Sequence, residues 1–129
     1  MDGVSAEDVA IIGRMMATQA ELQDRLRGNW DQTVNGKPVS GDVVFMKENI
    51  LMLLDEAHEV LRCLPWKMHK RDWGREPTAE EWAEARLEIT DVLVLLLNLY
   101  LRAGVDPRRM VELYFEKAAV NIDRQNTGY

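Results

Sequence analysis

Apolar residues recur at three- and four-residue steps through most of the chain, the spacing of amphipathic helices, and strand-like alternation is nearly absent. Val9, Ile12, Met15, Met16, Gln19, Leu22 and Leu26 trace the inward line of a first helix. It opens near Ser5, where Ser5-Ala6-Glu7-Asp8 has the form of a capping box. Gly28, Asn35-Gly36, Pro38 and Gly41 mark residues 28–41 as a loop. A second helix runs from about Asp42 to Leu64 and is stopped by Pro65. Residues 66–77 carry Gly74 and the basic side chains Lys67, His69, Lys70, Arg71 and Arg75, and read as a mobile connection. Thr78-x-x-Glu81 is a second capping box, opening a long helix that continues to about Arg102 and ends at Gly104. Asp106 followed by Pro107 gives an N-cap and a proline at the first helical position, and this last helix extends to roughly Arg124. The pattern predicts an all-α fold of four to five helices, built as one domain over residues 1–129.

Within the third helix, Val92 to Leu101 is apolar on nearly every side, interrupted by Asn98. Such a helix asks for burial all round, which three short neighbours can hardly supply. The surplus apolar surface predicts a homodimer or homotetramer in which this helix meets a second chain. The central helix of a monomeric bundle is the rival reading.

Composition narrows the function classes. The net charge is −6, opposite in sign to a surface built to hold duplex nucleic acid, so no nucleic acid partner is expected. A free nucleotide carrying its own magnesium is compatible with that charge. The run 92–101 is about half of a membrane span, so no membrane partner is expected either. No signal peptide is apparent, and the single Cys63 sits in an apolar helical pattern as buried filler. These features predict a cytoplasmic protein, in the host cytoplasm if phage-encoded.

The chemistry lies in carboxylates. At about 100° per residue, Glu48, Asp55, Glu56 and Glu59 form one stripe on the second helix. Glu56 falls at the edge of the apolar face made by Ile50, Leu53, Ala57, Val60, Leu61 and Leu64. Like charges at this spacing repel, and a divalent cation would offset the cost. On the third helix Glu88 and Asp91 share a face that continues into the apolar run, where an unpaired ionised carboxylate is expensive. Two acid pairs at i, i+3 on adjacent helices can converge on hard cations. Solvated acidic faces are the alternative, more so for the second helix than for the third. His58 lies off the acid face.

Asp55-Glu56-Ala57-His58-Glu59 followed by Glu88-Ile89-Thr90-Asp91 resembles the EExxE…ExxD signature of the all-α NTP pyrophosphohydrolases, with Asp in place of the first Glu. That superfamily includes MazG-like enzymes and dimeric dUTPases. Gln19-x-x-Leu22-Gln23, Trp66-Lys67 and the series Tyr114, Lys117, Asn121, Arg124, Gln125, Gly128, Tyr129 look like its dimeric dUTPase-like phage branch. The compact chain is similar to MazZ-type enzymes, which act on dGTP or dATP. The resemblance implies hydrolysis of a deoxynucleoside triphosphate to monophosphate and pyrophosphate, with dGTP or dATP as substrate and dUTP as the alternative.

It also implies two or three Mg²⁺ or Mn²⁺ ions held by Glu56, Glu59, Glu88 and Asp91, with Glu56 also a catalytic candidate. Glu48, on the same stripe, is a catalytic candidate as outer support or general base, with a plain surface acid as the equal alternative. Lys117, Asn121 and Arg124 share one face of the fourth helix, suited to phosphate oxygens, although basic residues also favour a helix C-terminus through its dipole. Lys67 is a further phosphate candidate. Asn98, Ile12, Gln19 and Trp66 are candidates for base and sugar, and Trp30 for a pocket wall. Two other classes stay open. A di-iron carboxylate bundle expects Glu-x-x-His on two helices, and only Asp55-x-x-His58 comes near it. A non-catalytic helical oligomerisation module would leave the acids solvated.

Overall fold

A computed structural model describes residues 3–22 and 28–128. Four helices carry the fold: α1 (Ala6–Leu22), α2 (Gly41–Arg62), α3 (Ala79–Arg102) and α4 (Pro107–Asn126). The class is all-α. None of these helices is long and apolar enough to cross a membrane. The chain divides into two compact units. One comprises α1, the last turn of α3 and α4; the other runs from Gly28 to Leu99 and holds α2 and most of α3.

The helix starts follow their caps. The Asp8 amide donates to Ser5 Oγ at 3.0 Å, and the Arg109 amide donates to Asp106 Oδ1 at 2.8 Å. Thr78 and Glu81 close a reciprocal box: the Glu81 amide donates to Thr78 Oγ1 at 3.1 Å, and the Thr78 amide to Glu81 Oε1 at 2.9 Å. Each pair satisfies amides that the first turn of a helix leaves without a partner. At the other end of α3, Gly104 takes φ +74°, the left-handed conformation that terminates a helix cheaply only at glycine. Gln23 and Leu26, expected to continue α1 or its motif, lie outside the described residues.

The loop expected over 28–41 contains a β-hairpin. β1 (Gln32–Val34) pairs antiparallel with β2 (Lys37–Val39), Val34 opposite Lys37, across the Asn35-Gly36 turn. Both turn residues have positive φ, 51° and 75°, as a two-residue hairpin turn matched to strand twist requires. Its strands are too short, and too polar, to stand out as alternation. The hairpin leads directly into α2. Ser40 makes no side-chain cap; instead Asp31 Oδ1 accepts from the Gly41 amide at 2.6 Å. A Cβ on Gly41 would stand 2.7–2.9 Å from Asp31 and the Trp30 backbone, so glycine is required by close approach. Trp30 packs edge-on against the fully buried Phe45, with ring centroids 5.2 Å apart.

The expected mobile connection is a closed loop. The Gly74 amide donates to Pro65 O at 2.8 Å, joining its ends, and the Lys70 amide donates to Lys67 O within it. Arg75 then anchors the loop to α3 through Glu81, with Nη1 to Oε1 at 2.7 Å, and it also pairs with Asp72. This is the compact form of an Ω-loop, whose order comes from main-chain bonds.

The inward line of α2 also differs from expectation. Phe45 and Asn49 are buried, and Leu53, Glu56, Val60 and Cys63 continue the line half-buried. Ile50 and Leu61, expected on that face, are 43% and 38% exposed. They join Val43 and Leu54 on a second apolar line at alternating four- and three-residue steps, 43, 47, 50, 54, 57, 61, interrupted by Lys47. On α3, Trp82, Ile89, Leu93 and Leu96 form a comparable exposed line, so within one chain this helix is not buried all round. In the other unit, α1 packs on α4, and Gly13 lies beside Pro107.

Candidate metal centre

Glu56 on α2 and Glu88 and Asp91 on α3 bring carboxylate oxygens within 4.8 Å of one another. Glu56 and Glu88 are half-buried and Asp91 is exposed. The placement follows from helix phase. Glu56 continues the Phe45–Asn49–Leu53 line, and Glu88 and Asp91 share the α3 face of the buried Leu95 and Asn98. Among the described residues no lysine, arginine or histidine forms a salt bridge with any of the three. Partial burial pushes the Glu56 carboxyl above its ordinary range, and Asp91, Glu88, Asp55 and Glu59 add to the shift. Three close acids with no salt-bridge partner among the described residues, all supplying hard oxygen donors, fit a divalent cation.

Contacts along α2 and α3 fix their register. Asn98 Nδ2 donates to Asn49 Oδ1 at 3.4 Å. Seven residues on along α2, Glu56 meets Asp91. Seven further on lies Cys63; burial pushes its thiol up, and Glu84, Glu88, Glu59 and Glu81 push it further. As the α2 number rises from 49 to 56, the α3 number falls from 98 to 91, so the two helices run antiparallel. Seven residues span two turns, roughly 10 Å at 1.5 Å per residue. The amide rung and the acids are therefore about two turns apart along the pair.

The other candidates fall in several places. Glu59 is half-buried but accepts from Arg62 Nη1 at 2.9 Å, outside the close trio. Glu48 is exposed and pairs with Lys47 at 3.6 Å. Asp55 is exposed. Asn98 is buried, 2% exposed, on the amide rung. Trp66 and Lys67 line a cavity at the far end of α2, together with Arg62, Lys70, Arg75 and Glu81. In the other unit, Gln19 is buried on α1 and Ile12 lines an α1–α4 groove with Met110 and Tyr114. Lys117, Asn121 and Arg124 are exposed on α4.

Two features escaped the sequence reading. Asn49 is buried and donates to Phe45 O at 2.9 Å while accepting from Asn98. Its signal was an amide at a position where the α2 line calls for an apolar residue. Lys70 shares the Lys67 cavity because the loop closes, which no local pattern announces.

The chain is 27% identical over 110 residues to a dCTP pyrophosphatase of Enterobacteria phage T4. That alignment covers 70% of this chain and 64% of the phage protein, so the chain spans less than two thirds of the length of the relative it matches. No family model matches the chain, and no solved structure matches it.

Proposed function

We propose that this chain is a metal-dependent nucleotide pyrophosphohydrolase, cleaving a deoxynucleoside triphosphate and water to the monophosphate and pyrophosphate. The observation that carries the reading is the close trio Glu56, Glu88 and Asp91, which forms no salt bridge among the described residues. The likeness to a protein named dCTP pyrophosphatase supports the same reaction class independently.

Glu56, Glu88 and Asp91 would hold Mg²⁺ or Mn²⁺, with Glu59 joining if it exchanges Arg62 for the metal. Two or three ions accord with four carboxylates. When bound, the metal would supply Lewis-acid chemistry, making water more acidic and offsetting charge on the triphosphate. The chain itself orients the substrate. The Asn49–Asn98 rung, buried and polar, is suited to a base edge or sugar hydroxyl. The resemblance offers Lys117, Asn121 and Arg124 as phosphate-binding candidates and Gln19 and Ile12 as nucleoside candidates, while Trp66 lines the Lys67 cavity instead. Glu48 serves as outer support or proton acceptor.

The base preference we propose is purine, dGTP or dATP, on the MazZ-like resemblance; dUTP and the relative's dCTP are the competing substrates. A second copy of the chain covers the exposed apolar lines of α2 and α3, whose heptad-like steps suit helix–helix packing between chains. The test is direct. Each deoxynucleoside triphosphate, dUTP and GTP is incubated with Mg²⁺ or Mn²⁺, and the products are separated. Monophosphate plus pyrophosphate, lost on adding EDTA, is the expected result. No hydrolysis of any nucleotide under either metal overturns the reading.

A further inference from the structure

The cavity at the end of α2 has a volume of about 260 Å³ and lies between the Ω-loop and the start of α3. Four cations line it, but two are committed: Arg62 to Glu59, and Arg75 to Glu81 and Asp72. Lys67 and Lys70 form no salt bridge among the described residues. Two free ammonium groups therefore share a pocket with the half-exposed indole of Trp66, in a chain of net charge −6. The loop that carries them is held shut by Gly74–Pro65 and by Arg75, so the lysines are presented from a fixed backbone.

The position of this cavity on the helix pair gives it meaning. Arg62 lies six residues beyond Glu56 on α2, and Glu81 lies seven residues before Glu88 on α3. Both helices thus put the cavity roughly 9–10 Å along the axis from the acid trio, at 1.5 Å per residue. The amide rung lies about as far on the opposite side. A nucleotide with its α-phosphate at the acids and its nucleoside toward Asn49 and Asn98 directs its phosphate chain at Lys67 and Lys70. Flexible lysine stems, each with several donors, suit the terminal phosphate oxygens.

We propose that this cavity is the subsite for the terminal phosphates, and that Lys67 and Lys70 make the protein select triphosphates over diphosphates. The inference rests on the proposed reaction but concerns different residues. Two measurements separate it from that reading. In the first, inorganic pyrophosphate and tripolyphosphate are titrated into metal-free protein by calorimetry, with orthophosphate as comparison. Wild type binds both polyphosphates more tightly than orthophosphate, and Lys67→Ala and Lys70→Ala each weaken them by about ten- to a hundredfold, the range for losing one charged hydrogen bond. Lys70→Arg retains binding.

In the second, kcat/KM is compared for a nucleoside triphosphate and its diphosphate. Lys70→Ala lowers the ratio about tenfold or more through KM. Polyphosphate affinity unchanged in both lysine variants overturns the subsite, as does an unchanged ratio. A wild type that binds polyphosphate through these lysines yet hydrolyses nothing upholds the subsite and removes the reaction.

Discussion

Arg75 holds the Glu81 carboxylate with both terminal nitrogens, Nη1 to Oε1 at 2.7 Å and Nη2 to Oε2 at 3.0 Å. The same carboxylate accepts from the Thr78 amide, so one side chain caps α3 and fastens the Ω-loop. The Arg75 hydrogen bond, followed by the Thr78 amide, holds the Glu81 pKa down to about 2. A depressed carboxyl contributes stability above its ordinary pKa and loses it as pH falls through the folded value. The fastening is therefore expected to persist through pH 4 and to release only toward pH 2. Carboxyl-carbon NMR of Glu81 measures this; a midpoint near 4.5 would sink the linkage.

Removing the other half of the box isolates the cap. Thr78→Ala leaves Arg75 and Glu81 in place but deprives the Glu81 amide of its acceptor. The expected cost is about 1 kcal/mol, the usual value for a lost N-cap. Urea denaturation checks it, and a change below a few tenths would mean that water replaces the hydroxyl without loss.

The acid trio should behave oppositely toward stability and activity. Glu56→Gln and Asp91→Asn each remove a charge from a group of mutually repelling carboxylates. Without metal their melting temperatures should equal or exceed that of wild type. Hydrolysis should fall by about a hundredfold or more, the scale of losing a group that stabilises charge during reaction. Thermal scans with and without Mn²⁺ supply the control: wild type gains stability from the ion, the variants little. Full hydrolysis in both variants would rule out the metal centre.

The exposed lines on α2 and α3 give a test of assembly. Ile50→Glu with Leu54→Glu places charge on the exposed α2 line and leaves the buried Phe45 and Asn49 unchanged. Light scattering should report a larger species for wild type and a monomer for the double variant. A wild-type monomer at all concentrations would refute the proposed second copy.

Gly41 offers a test of the hairpin junction. Gly41→Ala forces a Cβ to within 2.7–2.9 Å of Asp31 and the Trp30 backbone. About 1–3 kcal/mol of destabilisation is expected from such overpacking, again measured by urea. An unchanged midpoint would mean that the Asp31 cap yields freely.

Much of this was legible in the sequence, and the exceptions share a cause. The caps at Ser5, Thr78 and Asp106 appear where they were read, because a cap is a contact over three residues. Three of the four expected ligands come together, because a helix keeps its phase over the short distances involved. Glu59 was not distinguishable, since its bond to Arg62 depends on rotamers and not on spacing. The Ω-loop and the hairpin went unread for another reason. Their order resides in main-chain bonds between Pro65 and Gly74 and between β1 and β2, which composition does not encode. On α2, apolar residues occupy two faces, and periodicity alone did not reveal that the inward one carries Asn49 and Glu56.

That inward line has a consequence for how such a sequence drifts. At Glu56 and Glu88, half-buried and with no salt-bridge partner among the described residues, leucine or methionine would raise the stability of the metal-free chain. Variants selected for heat resistance alone should accumulate apolar residues at these positions, while selection for nucleotide hydrolysis should purge them. Deep mutational libraries sorted under the two regimes would diverge most sharply there. Identical preferences at 56 and 88 in both would mean that the acids are ornaments of the surface.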